Sequence, residues 1–154
     1  MGGLVTEGVR GVRVGVQVAF ERQITREMVD AFILVSGDTN PLHSDPAYAA
    51  RTRFREPIAH GLIGAGLISA AIATRLTPLS PGSVMVYLSQ NLQFRAPVYI
   101  DDTLTATATV TAVDPARSRV TLATNVTKQD GTEVIRGEAT VLVDTVDTVE
   151  GTSR

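Results

Sequence analysis

The chain has 154 residues, 44% of them apolar, and a formal charge of -2 from 14 Lys and Arg against 16 Asp and Glu. At this size one domain can bury roughly 68–70% of its unfolded surface, so no disulfide or metal staple is needed. The chain contains no cysteine, which excludes a disulfide framework, a thiol nucleophile and cysteine-held zinc or iron–sulfur. It also has no long basic run, so a phosphate-tracking nucleic-acid surface is not expected.

Residues 1–10 are Gly-rich and weakly patterned, and are expected to be a flexible lead-in without the basic-then-apolar signature of a signal peptide. From Gly11 the chain alternates, which predicts a strand with Val12, Val14, Val16, Val18 and Phe20 on one face. "ITREMVDAFILVSG" then changes to helical spacing. Thr25 is its predicted N-cap, Gly37 its stop, and Met28, Phe32 and Val35 its inward stripe. The capping box is missing, because Met28 occupies the position of its Glu or Gln. After a polar turn, Asp45-Pro46 predicts a short helix, since Pro suits the first helical position and Asp accepts the free N–H groups.

"REPIAHG" returns the chain as a loop. "GLIGAGLISAAIATRL" follows, apolar on nearly every side, and predicts a helix buried all round. Its apolar stretch, Leu62 to Ala73, is interrupted by Ser69 and shorter than the ~20 residues that cross a bilayer, so no membrane insertion is expected and a cytoplasmic location is the default. The second half predicts about four antiparallel strands. In "GSVMVYLSQNLQFRAPV", Val84, Val86, Leu88, Leu92 and Phe94 share a predicted face with Gln90 as a polar interruption. In "DTLTATATVTAV", Leu104, Ala106, Ala108, Val110 and Ala112 share a face opposite five threonines. A hairpin turning at Asp130-Gly131 follows, and residues 145–154 read as a polar tail. The predicted architecture is α+β, one domain over residues 11–144, with a curved antiparallel sheet around one apolar helix. Its unpaired strand edges favour pairing with a second copy in a symmetric dimer.

"SGDTNPLHSD", residues 36–45, concentrates the ionisable chemistry. Pro41 fixes one backbone angle and restricts Asn40, so the turn can hold Asp38 and His43 with little freedom. A carboxylate beside an imidazole can orient the ring and share a water. The competing reading is an Asp capping the turn and a His filling a loop. His60 and Gly61 precede the apolar helix, whose first N–H groups lack partners. A substrate carbonyl aimed at the Gly61 N–H would meet oxyanion-hole conditions. From the residues alone the favoured reading of His60 is a packed, hydrogen-bonded loop residue, and Gly61 can simply start the helix without a side-chain clash.

His43, His60, Asp38 and Asp45 match no metal-ligand spacing, so no metal is expected. Ser69 lies in "LISAA" with no nucleophile elbow, and "GLIGAG" lacks the strand that a dinucleotide-binding turn requires. The three arginines of "RTRFR" fit either a solvated surface or a rim that meets an anionic carrier.

The stretch "FILVSGDTNPLHSDPAYAARTRFREPIAHG", residues 32–61, closely resembles the signature of the (R)-specific enoyl-CoA hydratases, in the MaoC-like dehydratase group of the hot-dog superfamily. The resemblance rests on Gly37-Asp38, Asn40-Pro41-Leu42-His43, Asp45-Pro46, Ala49, Phe54 and Ile58-Ala59-His60-Gly61. It extends through "GSVMVYLSQNLQFRAPVYIDD" and covers about residues 12–143. One departure is Asp101, where the family commonly carries Gly.

The resemblance implies a hot-dog fold and a homodimer with sites near its interface. It implies Asp38 and His43 as the catalytic pair, the Gly61 N–H as the carbonyl donor, Ser69 lining the site and Asn40 supporting the turn, with His60 beside the substrate. The substrate implied is a trans-2-enoyl thioester of coenzyme A, hydrated syn to a (3R)-3-hydroxyacyl thioester. Coenzyme A enters as part of the substrate, and no separate cofactor is implied. A dehydratase of acyl-carrier-protein thioesters is the near alternative. A thioesterase and a non-catalytic module of the same fold are more distant ones.

Overall fold

The structure is a computed structural model that describes residues 8–146. Residues 1–7 of the expected lead-in and 147–154 of the expected tail lie outside the described residues. Strand β1 spans Gln17–Gln23, not the longer strand that the valine alternation predicts from Gly11. Gly11 and Gly15 both take positive φ, near 90°, and break the extended run. Val12 instead turns back on Val9, each backbone N–H donating to the other's carbonyl at 2.9 Å, and Val14 faces solvent.

Helix α1 spans Arg26–Ser36 with the expected ends: the Thr25 hydroxyl accepts from the Met28 N–H, and Gly37 closes the helix at φ 75°. Its inward stripe is Met28, Val29, Phe32 and Ile33, whereas Val35 is 84% exposed. Met28 and Phe32 therefore face inward as predicted, Val35 does not, and Val29 and Ile33 complete the stripe. Helix α2, Pro46–Ala49, is capped by Asp45, whose Oδ1 accepts from Ala47 and Tyr48 N–H at 2.9 and 3.1 Å.

Helix α3 runs Gly61–Ala71, then continues through a π turn (Ile72–Leu76) and a 3-10 turn (Thr77–Leu79). By length and composition this 19-residue run would pass for a membrane span. Its packing identifies it as the core helix: Ile63, Leu67, Ile68, Ala71, Ile72 and Leu76 are buried in one cluster with the sheet's inner face. Burial is not all round, as the sequence had suggested. Leu62, Gly66, Ser69 and Ala73, spaced to share one face, stay exposed in the single chain.

The remaining strands are β2 (Ser83–Phe94), β3 (Thr103–Asp114), β4 (Arg119–Lys128) and β5 (Glu133–Thr145). They form one antiparallel sheet in the order β1-β3-β4-β5-β2, which leaves β1 and β2 at its edges. A bulge between Tyr87 and Ser89 divides the face predicted for β2. Before it, Met85 and Tyr87 pack on the core while Val84, Val86 and Leu88 turn out; beyond it, Leu92 packs on the core. A second bulge between Val110 and Ala112 likewise leaves Ala112 exposed. One extra residue reverses every side chain beyond it.

Candidate active site

The stretch between α1 and α2 folds on its own side chains. The Asp38 Oδ1 accepts from the Asn40 N–H at 3.2 Å, and the Asn40 Oδ1 accepts from the Leu42 N–H at 3.1 Å. Asn40 therefore supports the turn and does not border the cavity. Pro41–His43 form a 3-10 turn that directs the His43 ring inward. The backbone is also held from α1, where Arg26 donates to the His43 carbonyl at 2.8 Å. An arginine at the start of a helix opposes the helix dipole, and this contact accounts for its presence.

Asp38, His43, His60 and Gly61 border one cavity of about 390 Å³, bounded farther in by Leu104 and Ile135. The His43 Nδ1 lies 2.7 Å from the Ile58 carbonyl oxygen. A carbonyl only accepts, so Nδ1 carries the proton, and we assign the lone pair to Nε2 on that basis. That Nε2 is 4.0 Å from Asp38 Oδ2. The two groups are both acceptors and too far apart to bond directly. A water about 2.8 Å from each would subtend about 90° at its oxygen, close to its own donor angle.

His60 lies beneath them. Its side chain is buried, its ring stacks on His43 at 3.7 Å between centroids, and Phe32 packs against it at 4.7 Å. The His60 Nε2 is 3.3 Å from the Asp38 carbonyl oxygen and 3.7 Å from Asp38 Oδ2. Burial holds the ring's proton affinity below the ordinary histidine value, against the raising effect of the Asp38 carbonyl.

Gly61 begins α3, and its N–H belongs to the unpaired first turn. The Phe94 ring lies on its Cα: a methyl group there would meet the ring at 2.6 Å. Ser69 is not brought into this cavity. It is eight residues, about 12 Å, along the helix and on the exposed face. Asp38, His43 and His60 place one donor atom each within 4.8 Å of one another, a set with the composition of a metal site. With Nε2–H given to the Asp38 carbonyl, however, the His60 lone pair sits on Nδ1, and ligation through Nε2 would require the other tautomer.

Spacing alone did not reveal the Ile58 carbonyl or the Phe94 ring, because backbone acceptors and ring placement leave no mark in composition. Arg53 and Arg95 also line the cavity. Arg95 is paired with Glu133 at 3.2 Å, whereas Arg53 lies over the Phe54 ring at 5.0 Å.

A family model described as the MaoC like domain matches residues 12–132. The chain is 41% identical over 140 residues to the (R)-specific enoyl-CoA hydratase of Rhodospirillum rubrum, covering 91% of this chain and 94% of that one. It is 31% identical over 142 residues to the mitochondrial 3-hydroxyacyl-[acyl-carrier-protein] dehydratase of Arabidopsis thaliana, covering 90% and 82%. Among solved structures, the (R)-hydratase of Aeromonas caviae involved in PHA biosynthesis superposes with a TM-score of 0.79 at 38% identity, covering 86% of this chain and 98% of that one.

Proposed function

The chain belongs to the MaoC-like domain family, and from that premise we propose that it is a hydro-lyase, an (R)-specific enoyl-CoA hydratase. The observation that carries the reading is the acceptor pair of His43 Nε2 and Asp38 Oδ2, 4.0 Å apart at the mouth of an apolar cavity, beside the free amide that opens α3.

The substrate carbonyl accepts from the Gly61 N–H, which draws electrons from the conjugated double bond and leaves C3 electrophilic. Water held by Asp38 and His43 gives a proton to the pair as its oxygen bonds to C3. The pair then returns a proton to C2 from the same side. One cluster serves both bond-forming events, so addition is syn and the product is the (3R)-3-hydroxyacyl thioester. The two groups act as a unit, one holding the water while the other exchanges its proton. Positioned proton transfer is typically worth ~10²–10⁴ in rate, and an oxyanion donor about 2.7–4 kcal/mol.

Coenzyme A is the proposed carrier, supported by the higher identity to the CoA-named relative than to the carrier-protein dehydratase. The working unit is a homodimer, a reading supported by the open face of α3 that carries Ser69 and the unpaired edge of β2, and its proposed location is the cytoplasm. Asp38→Asn and His43→Ala should each fold normally and lose at least ~100-fold in hydration, followed by the loss of enoyl-thioester absorbance. Near-normal turnover in both variants overturns the assignment. Parallel assays on CoA and carrier-protein thioesters separate the two carriers.

A further inference from the structure

We propose that His60 is a positioning residue, which pins Asp38 and carries the ring of His43 without touching substrate. This rests on the hydration reading above, but its geometry stands independently. The carbonyl of Asp38 can only accept, so the His60 Nε2, 3.3 Å away, must donate to it. The same N–H edge faces the Asp38 carboxylate at 3.7 Å. One buried ring thus holds the backbone of Asp38 by a hydrogen bond and lies close beneath its carboxylate, a side chain about half exposed. Above it the His43 ring lies in contact at 3.7 Å, tilted by 29°.

This arrangement has a consequence for the reaction cycle. With Nε2 donating, Nδ1 is a bare acceptor, and it is buried with no hydrogen-bond partner. A second proton on the ring would put an unpaired N–H into apolar surroundings against Phe32. The ring therefore stays neutral. When His43 takes the water's proton, the cation forms over an uncharged π face; two protonated rings at that spacing would repel. The charged and titratable groups around His60 are Asp38 and His43 in contact, Arg26 through the His43 carbonyl, and Arg53 and Arg95 on the cavity wall. None of them offers Nδ1 a partner.

The test compares His60→Phe, which keeps an aromatic platform but no donor, with His60→Gln, whose amide nitrogen can take the place of Nε2. In the full-length chain His60→Phe should lower kcat by ~10–100-fold while KM stays within ~3-fold, because the loss is in the reacting geometry. His60→Gln should recover most of kcat and retain the acid limb of the pH profile. Loss of that limb in His60→Gln would mean that His60 itself carries the proton, and would overturn the proposal. A second readout does not need activity. The chain has only two histidines, so its long-range 1H–15N spectrum contains two imidazoles, told apart by His43→Ala. His60 should appear as the neutral Nε2–H tautomer and stay so from pH 8 to pH 6.5, the ordinary histidine value. If it is Nδ1–H or titrates in that range, the positioning role fails, whether or not the chain hydrates enoyl thioesters. If the ring behaves as expected but wild-type protein is inactive on four- to sixteen-carbon enoyl-CoAs, the failure belongs to the proposed function.

Discussion

Asp101 takes φ 73°, a left-handed backbone angle in which a side chain on Cα is crowded by the carbonyl that follows. Its position closes the turn between β2 and β3, where its N–H donates to the Ile24 carbonyl at 2.8 Å. Glycine is the residue this angle favours, and the family resemblance marked Asp101 as a departure from glycine. Asp101→Gly should therefore stabilise the fold by up to about 1 kcal/mol, the relieved strain being partly offset by a freer unfolded chain. The urea midpoint is the measurement, and a lower midpoint would show that the aspartate is doing more than filling a turn. His60 gives a residue-scale prediction of opposite character. Burial in the folded chain holds its ring's proton affinity below the ordinary histidine value near 6.5, which the unfolded chain keeps. Below that pH the unfolded state binds more protons, so stability should fall as pH drops from 6.5. Unfolding midpoints between pH 8 and 5 should show this slope, and His60→Gln should flatten it. Asp102 responds in a separate, lower window. Burial pushes its carboxyl up, but hydrogen bonds from Lys128 and Gln129 outweigh burial and hold it below 3.8, so its contribution is lost only as pH falls below that value.

At the scale of elements, the caps were legible because each is a local contract between a side chain and the next few amides. Thr25, Gly37 and Asp45-Pro46 all fall where their chemistry requires. The alternating strands were legible in kind but not in register. Nothing in "VMVYLSQN" announces that Leu88 is an extra residue, because the bulge is stabilised from the neighbouring strand and from side chains distant in sequence. Gln90 donates to the Thr124 hydroxyl at 3.0 Å and to the Glu138 carbonyl at 3.2 Å, and Gly137 lets the Asn91 carbonyl come close: a methyl group at Gly137 would overlap that oxygen. The predicted polar interruption at Gln90 is thus the clasp of the bulge. Gly137→Ala should cost about 1–3 kcal/mol or more, since a backbone carbonyl must move to admit it. Gly64→Ala meets only the end of the Ile135 side chain and should cost less. Comparing the two midpoints tests whether backbone or side chain sets the limit. The candidate site was legible to a similar degree. Asp38 and His43 stand in a turn whose proline and asparagine declare it, whereas the tautomer of His43 is set by the Ile58 carbonyl, which any residue could have provided.

Among the open surfaces of the described residues are two that a solitary chain has no reason to keep apolar. One is the edge of β2, a 12-residue strand bonded only to β5 on one side, with Val84, Val86 and Leu88 each at least 40% exposed. The other is the uncovered face of α3, where Leu62 is 55% exposed and Ser69 lies two turns beyond it. A long, apolar edge invites pairing, and a second copy would close it by symmetry, as the proposed homodimer requires. This also explains why all-round burial of α3 was a reasonable reading of its composition: the helix carries enough apolar residues to be covered on every side, and one chain covers only part of it. Lysine on an edge strand blocks such pairing, and at exposed positions it should alter the stability of the single chain little, by about 0.5 kcal/mol or less. We expect Val86→Lys with Leu88→Lys to sediment at 16.3 kDa where the unaltered protein runs at twice that mass, and to lose hydration in parallel with the dimer. If the unaltered protein sediments at 16.3 kDa with full activity, the site is complete within one chain, and the open face of α3 needs another explanation.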